Sequence, residues 1–511
     1  MMRQALLHPI VVAVSAAAAL AALWMIAFPT WGTDLSAQLA RADFASNYPS
    51  AAYDFSWYSG IYPASYSLLA PYVFAVAGTR QVAAGAAVVS AGLIAWMFVR
   101  HRLPAARWAA LWIGVGLGAG LLAGRATFTL GLAAATAAVA VVDASRPSRP
   151  WRLVLGAVLG LLASLFSPLA GAFIGIAAVA FILTRRVWEG ITIGAAAALP
   201  LCVVAILFGS GGLQPITILN GGPALALAIL VYFSAPHSWR VIRIGAAVYA
   251  VAVVGAWVMP SAVGSNIERL GLLLGGPLLI ATTRHRRRAL AICGLVIAVG
   301  WQIAIPGRDL LFGKSASAPA STTGLISALK ARHADTARVE AVPQYGHWES
   351  EQLAAVVPLA RGWERQLDTV RNPIFYGDDS GKLTPDRYRT WLHDNAVHYV
   401  AISDAIPDYA AKREAQIVRA GQPWLTPVWH DKDWTLYQVA DPTPLASTPA
   451  RVVQTTPAQL TLSMPHAGST VIRIRWSRFL DVDNGGRLDR SGEFTTLSVP
   501  AAGTYRLSGH Y

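Results

Sequence analysis

The sequence predicts a polytopic α-helical membrane domain followed by two smaller polar domains, an extracytoplasmic α/β domain and a C-terminal β-sandwich. Three observations carry this. The chain has 511 residues, 55% hydrophobic and 13% charged, which is too long for one domain and too apolar for a wholly soluble protein. Apolar segments approaching the roughly 20 residues that span a bilayer recur as far as residue 306. Five arginine clusters, Arg100/Arg102/Arg107, Arg146/Arg149/Arg152, Arg185/Arg186, Arg240/Arg243 and Arg284/Arg286/Arg287/Arg288, punctuate those segments. Between successive clusters lies enough apolar chain to cross and return, so the clusters mark one face as cytoplasmic.

The net charge of +14 is a topology signal and not a polyanion-binding patch. Residues 1–310 carry 20 arginines, no lysine and seven acids, whereas the remainder is nearly balanced. A nucleic-acid partner is therefore declined. Cys202 and Cys293 both sit in apolar segments, which disfavours disulfides and thiolate metal sites. Arg3 precedes an apolar run longer than a usual signal-peptide core, read as an uncleaved signal-anchor.

Taken in order, the expected spans are 9–29, 81–99, 106–123, 126–142, 152–166, 168–184, 189–208, 221–236, 241–259, 268–283 and 289–306, about eleven helices. The stretch Tyr62 to Gly78 is expected to be a half-inserted helix on the outer face, because a full span there would place Arg100/Arg102/Arg107 outside. The membrane domain is taken as 1–310 and a linker as 311–324, around SASAPASTTG. The α/β domain follows at 325–445, with strands at 337–342, 398–402, 425–429 and 434–439. Its helices are expected at 385–395, capped by Thr384, and at 408–420. Period-2 alternation with Gly, Pro and Asn turns makes 446–511 a small β-sandwich.

Candidate chemistry concentrates on the face opposite the arginine clusters. Asp34 stands at the mouth of the first span and begins an expected interfacial helix with Leu35, Leu39 and Ala42 on one face. Asp43 and Asp54 follow in the same loop, with Trp57, Tyr58 and Tyr62; Tyr and Trp collect at interfaces whatever a protein does. A carboxylate held there can take a proton from an acceptor hydroxyl, although an acid at a helix start is also favoured by the dipole alone. Arg125, in GRATF, and Glu268-Arg269 place charge in turns where the positive-inside bias disfavours cations. A lipid-linked phosphate would account for both arginines, and so would a salt bridge to a loop carboxylate.

In the polar half, His347, Trp348, Glu349, Arg361, Trp363, Glu364 and Arg365 crowd together, a mixture suited either to carbohydrate or to docking of the domain. His347 and Glu349 lack a third metal ligand at recognisable spacing. Asp378-Asp379 reads as a turn, and Asp481 to Asp489 echoes a calcium loop without its glutamate. There is no P-loop, no GxGxxG opening a helix and no HExxH.

With Asp34 after the first span, a long first outer loop, about eleven spans and a polar C-terminal domain, residues 1–310 resemble the GT-C superfamily of polyprenyl-phosphate-sugar-dependent glycosyltransferases. Among these the bacterial arabinofuranosyl- and mannosyltransferases of cell-envelope assembly are most similar. The resemblance implies a multi-pass plasma-membrane enzyme that transfers a sugar with inversion from a polyprenyl-phosphate donor to a cell-envelope glycan or glycolipid. It implies a loop-one acid as base, which Asp34 matches. Many members pair two acids closely, whereas Asp34 and Asp43 are separated, so a divalent cation (Mg, Mn or Ca) stays open as a cofactor. A lipid or glycan transporter and a non-catalytic assembly protein are the alternative readings.

Overall fold

A computed structural model of the chain describes residues 7–28, 30, 32–209, 211–283, 288–316, 319–377 and 381–511, the side chains of 305–316 excepted. Arg3, Arg284, Arg286, Arg287, Asp378 and Asp379 lie outside the described residues, as does the side chain of Asp309. The chain forms two compact units: Met1–Leu35 with Tyr66–Gly313, and Ser36–Ser65 with Lys314–Tyr511.

The first unit is helical. Its members are α1 (Pro9–Ala27), α3 (Ala70–Ala77), α4 (Thr79–Arg100), α5 (Ala106–Leu122), α6 (Ala126–Asp143), α7 (Arg149–Phe166), α8 (Pro168–Leu183), α9 (Val187–Phe208), α10 (Ile218–Ser234), α11 (Arg240–Val258), α12 (Glu268–Thr282) and α13 (Arg288–Ala316), with α2 (Leu35–Asn47) leading into the second unit. Each of the eleven expected spans coincides with a helix, the largest difference being α13, which runs on to Ala316. Six of these helices, α1, α4, α6, α7, α9 and α11, are long and apolar enough to cross a membrane; α5, α8, α10 and the first part of α13 are shorter apolar helices. Large apolar side chains such as Ile206, Ile218 and Leu219 are exposed around the bundle, which water would not tolerate over such an area. The protein is membrane-embedded. Tyr62 to Gly78 holds a 3-10 turn at Pro63–Ser65 and the eight-residue α3, ended by Gly78.

Small residues bring these helices close, as expected where lipid supplies no hydrophobic drive between them. A Cβ at Gly114 of α5 would lie 2.5 Å from the Ala13 carbonyl of α1. At one end of the bundle Asp143, closing α6, receives Arg100 Nε (3.2 Å), His101 Nε2 (2.6 Å) and Arg186 Nη1 (2.8 Å). Arg149 reaches Glu189 at 3.5 Å nearby in sequence. Two arginine-bearing connections therefore meet on the carboxylate that opens a third. Arg80, a cation at the other end that sequence reading passed over, donates to the carbonyls of Trp24 and Phe28 and stacks 4.5 Å over the Trp24 ring, so it caps α1.

The second unit carries α14 (Thr323–Lys330), β1 (Arg338–Ala341), α15 (Trp348–Gln352), α16 (Arg365–Arg371), α17 (Pro385–Asp394), β2 (Val397–Ser403), α18 (Lys412–Arg419), β3 (Leu425–His430) and β4 (Trp434–Val439). The expected linker 311–324 is helical at both ends, belonging to α13 and α14. The sheet order is β1-β2-β4-β3, β1 parallel to β2 and the others antiparallel. Thr384 caps α17 by accepting the Arg387 amide at 3.2 Å. The helix expected from 408 starts only at Lys412, because Asp408 spends its carboxylate on Arg365 and on the Ala410 amide.

The C-terminal strands, β5 (Arg451–Thr456), β6 (Gln459–Met464), β7 (Gly468–Arg475), β8 (Leu480–Val482), β9 (Arg487–Ser491), β10 (Phe494–Val499) and β11 (Gly503–Gly509), form antiparallel sheets β5-β6-β11-β8 and β7-β10-β9. Alternate residues Leu460, Leu462, Ile472, Ile474, Leu497 and Leu507 fill the core of this sandwich. The segment from Asp481 to Asp489 runs from β8 through a turn into β9, and Asp483 in that turn accepts the Arg506 amide.

The division into units departs from the expected boundary in one segment, residues 36–65, which pack with the polar half. Residues 51–61 are buried throughout. Ala52 N–H donates to Gly509 O, Phe55 N–H to Pro457 O, and Trp57 Nε1 to Ser350 O. Arg371 donates to the Tyr58 and Gly60 carbonyls, and Tyr53 donates to Arg475 O at 2.6 Å. Tyr53 and Phe55 join the sandwich core. Trp57 and Tyr58 are thus core residues and not an interfacial belt. Helix α2 likewise exchanges its expected place on a bilayer surface for the interior: Ala37 joins the core, Ser36 donates to Gly346 O, and Arg41 pairs with Glu364 at 2.6 Å.

Candidate functional site

The first unit brings Asp34, Arg125 and Arg269 together at the end of the bundle remote from Asp143. Arg125 precedes α6 and Asp143 ends it, so a helix of 18 residues, about 27 Å at 1.5 Å per residue, separates the two ends. Local backbone chemistry fixes Asp34 there. Gly32, at φ +122°, presses on the turn after α5, where a Cβ would lie 2.4 Å from Gly124 N. Gly124, at φ +73°, lies equally close to Leu35. Side chains are excluded from both faces of this contact, and both glycines hold conformations that L-residues resist. The Asp34 amide points at Ala123 O, 3.4 Å away.

Arg269, in the first turn of α12, stands with Nη2 3.7 Å from Asp34 Oδ2 and donates to Asn266 Oδ1 at 2.7 Å. Its plane lies over Phe128 at 5.1 Å, and its Nε is buried with no hydrogen-bond partner among the described residues. The Asp34 side chain is 31% exposed and that of Arg269 only 14%, so the acid faces an approach path while the cation is held from behind. Arg125 has no hydrogen-bonding or ion-pair partner for its guanidinium among the described residues. Both arginines line a cleft that runs between α5, α6, α12 and α13 along Gly116, Gly120, Phe128, Leu132, Leu273 and Gln302. The carboxamide oxygen of Gln302 is buried there with no donor among the described residues. Gln302 was legible as the single amide within the apolar run of α13 but was passed over.

Chemically, the cluster offers one accessible carboxylate, two cations with unused donors, and an apolar wall. Glu268 is not part of it: the carboxylate is buried and accepts from Asn220 Nδ2 at 2.9 Å, and Asn220 in turn accepts from Thr217. It ties the start of α12 to α10.

The remaining expected site residues belong to the second unit. Asp43 is exposed on α2 and accepts from Asn47 at 3.0 Å. Asp54 accepts the Ser56 amide at 2.8 Å inside the buried segment, and burial pushes its carboxyl up to about 6. The Tyr58 hydroxyl donates to Gly362 O at 2.8 Å and accepts from Glu364 N–H, a purely internal brace. Arg361 lies over the Phe375 ring at 3.8 Å and is bound on both sides by Glu340 and Glu414. Trp348, His347 and Glu349 are buried. The cluster expected to face a sugar is instead interior, its charges satisfied by partners from β1, α18 and the segment before α18. Among the described residues no three His, Cys, Asp or Glu side chains gather as a metal site.

His347 stacks on Trp363 (3.4 Å between ring centres, 8° between planes) between Glu349 Oε1 and Asp408 Oδ1, each 3.5 Å away; Arg365 grips Asp408 from the other side. Burial alone would lower the imidazole pKa, but Asp408 and then Glu349 outweigh it, and the pKa is raised. A folded pKa above the unfolded one gives stability fully present below the unfolded value and lost as pH rises through the folded value. The thermal unfolding temperature of the second unit should therefore fall as pH is raised from below the histidine range to above it, and His347→Gln should flatten that dependence in a scan of the full chain. An unchanged slope in that variant would remove His347 as its source.

Comparison of the chain with family models and with curated proteins finds no match.

Proposed function

We propose that the protein is an inverting glycosyltransferase that moves a sugar from a polyprenyl-phosphate donor to a cell-envelope glycan or glycolipid at the outer face of the plasma membrane. The observation that carries the reading is the accessible Asp34 carboxylate beside Arg269, which together with Arg125 lines an apolar-walled cleft. All eleven helices coinciding with the apolar segments are taken to cross the bilayer, with the N-terminus and the arginine connections cytoplasmic and the polar unit outside.

On this reading Asp34 takes the proton of the acceptor hydroxyl as its oxygen attacks the anomeric carbon. The bond from that carbon to the phosphate oxygen breaks, and polyprenyl phosphate leaves with the electron pair. Arg125 and Arg269 stabilise the departing phosphate through charge-assisted hydrogen bonds, for which the unpartnered Arg269 Nε and the Arg125 guanidinium provide donors. The first chain segment of the lipid lies against the apolar wall. The 3.7 Å gap between Asp34 and Arg269 is too long for a hydrogen bond, so the pair leaves both groups available.

Arg125→Ala and Arg269→Ala should each weaken polyprenyl-phosphate binding roughly 10-fold or more, as loss of a hydrogen bond to a charged group does. Isothermal titration of the purified variants in detergent reads this directly. Titration curves superposable on wild type would sink the phosphate role.

A further inference from the structure

We infer that the arginine face carries a binding belt for anionic phospholipid headgroups. Three connections are tied to the Asp143 end of the bundle, each followed by a helix that presents a tryptophan at its second or third residue. After α4 come Arg102 and Arg107 and then Trp108 of α5. Arg146 precedes α7 with Trp151, and Arg185 precedes α9 with Trp188. These tryptophans are 56%, 63% and 62% exposed, large amphipathic rings placed where a headgroup layer would meet them.

The cations between them are in surplus. Asp143 and Glu189, the acids of this face, are already occupied by Arg100, His101, Arg186 and Arg149. Arg102, Arg107, Arg146 and Arg185 are exposed, and none has a carboxylate partner among the described residues. Arg107 only flanks the Trp108 ring, at 5.1 Å. Uncompensated guanidinium groups beside interfacial rings match the negative phosphates of anionic lipids in charge and in depth, and their planar forks suit phosphate oxygens. A zwitterionic headgroup offers the same phosphate with its own cation attached and competes poorly. Phosphatidylglycerol is the probe that tests the charge.

The full-length protein is reconstituted in phosphatidylcholine vesicles containing brominated phosphatidylglycerol or, separately, brominated phosphatidylcholine, and tryptophan quenching gives the relative association of the two lipids. Phosphatidylglycerol is expected to be favoured several-fold in the share of the quenching that a Trp108→Phe, Trp151→Phe, Trp188→Phe variant loses, the other 15 of the 18 tryptophans forming the background. Replacing Arg102, Arg107, Arg146 and Arg185 together by Gln should abolish the preference, and replacing them by Lys should keep it, which also controls for folding. Equal quenching by both lipids in wild type, a preference that survives the Gln variant, or one lost in a folded Lys variant would each overturn the belt. The readout is lipid association and is independent of sugar transfer.

Discussion

Asp34→Asn is expected to lower sugar transfer by at least about 100-fold, the lower end of what a positioned general base contributes. The substitution is close to isosteric and keeps an oxygen toward Arg269, but the amide cannot take the acceptor proton. Its cost to folding should be slight, since the side chain is 31% exposed and its ion pair is long. The diagnostic pattern is a collapse in kcat with donor binding intact. That pattern separates Asp34 from Arg125 and Arg269, whose removal should first weaken the donor. Near-normal turnover in purified Asp34→Asn protein would eliminate Asp34 as the base.

The second large effect is on stability. Arg361 is buried between Glu340 and Glu414, donating to Glu340 Oε1 from Nε at 2.9 Å, and Tyr388 donates to Glu414 Oε1 at 2.8 Å. Two carboxylates thus share one guanidinium. Burial, with the Glu414 charge adding to it and Arg361 opposing, drives the Glu340 pKa well above its ordinary range. Arg361→Ala leaves both acids without their cation and should destabilise the second unit by about 3–5 kcal/mol, the usual cost of breaking a buried pair from one side. Glu340→Gln should cost much less, because Arg361 keeps Glu414 and the amide still accepts a hydrogen bond. Thermal or denaturant unfolding of the purified variants followed by near-ultraviolet signals reads the difference. Equal losses in the two variants would mean that packing, and not charge compensation, governs this site.

The membrane helices were legible because their signal is local. A run of apolar residues with arginines at alternate ends needs no knowledge of its neighbours, and α4 to α12 end where the pattern stops. The strands of the α/β sheet were legible for the same reason. The segment around Tyr53 to Ile61 was not. Its aromatics resemble an interfacial belt, and the groups that bury it, Arg371, Pro457, Arg475 and Gly509, are 300 to 460 positions away in a sequence that gives no pairing signal. The stretch from His347 to Arg365 misled in the same way. A mixture of charge and aromatic rings describes both a sugar platform and a buried ion network, and only the partners at Glu340, Asp408 and Glu414 separate the two. Part of the candidate site could be read. Asp34 stands out as an acid at the end of the first apolar run, and Arg125 and Arg269 as cations on a face where the expected topology disfavours them, whereas the arrest of Asp34 by Gly32 and Gly124 required the close approach of two distant turns.

The proposed activity is sugar transfer with inversion from a lipid phosphate. Its most direct test incubates the purified full-length protein in detergent with a panel of polyprenyl-phosphate sugars and glycan acceptors, and determines the anomeric configuration of the product by NMR. A new glycosidic bond of inverted configuration from at least one donor, with release of polyprenyl phosphate, is expected. A product of retained configuration would contradict it, and so would movement of the lipid-linked sugar across proteoliposomes with no bond formed.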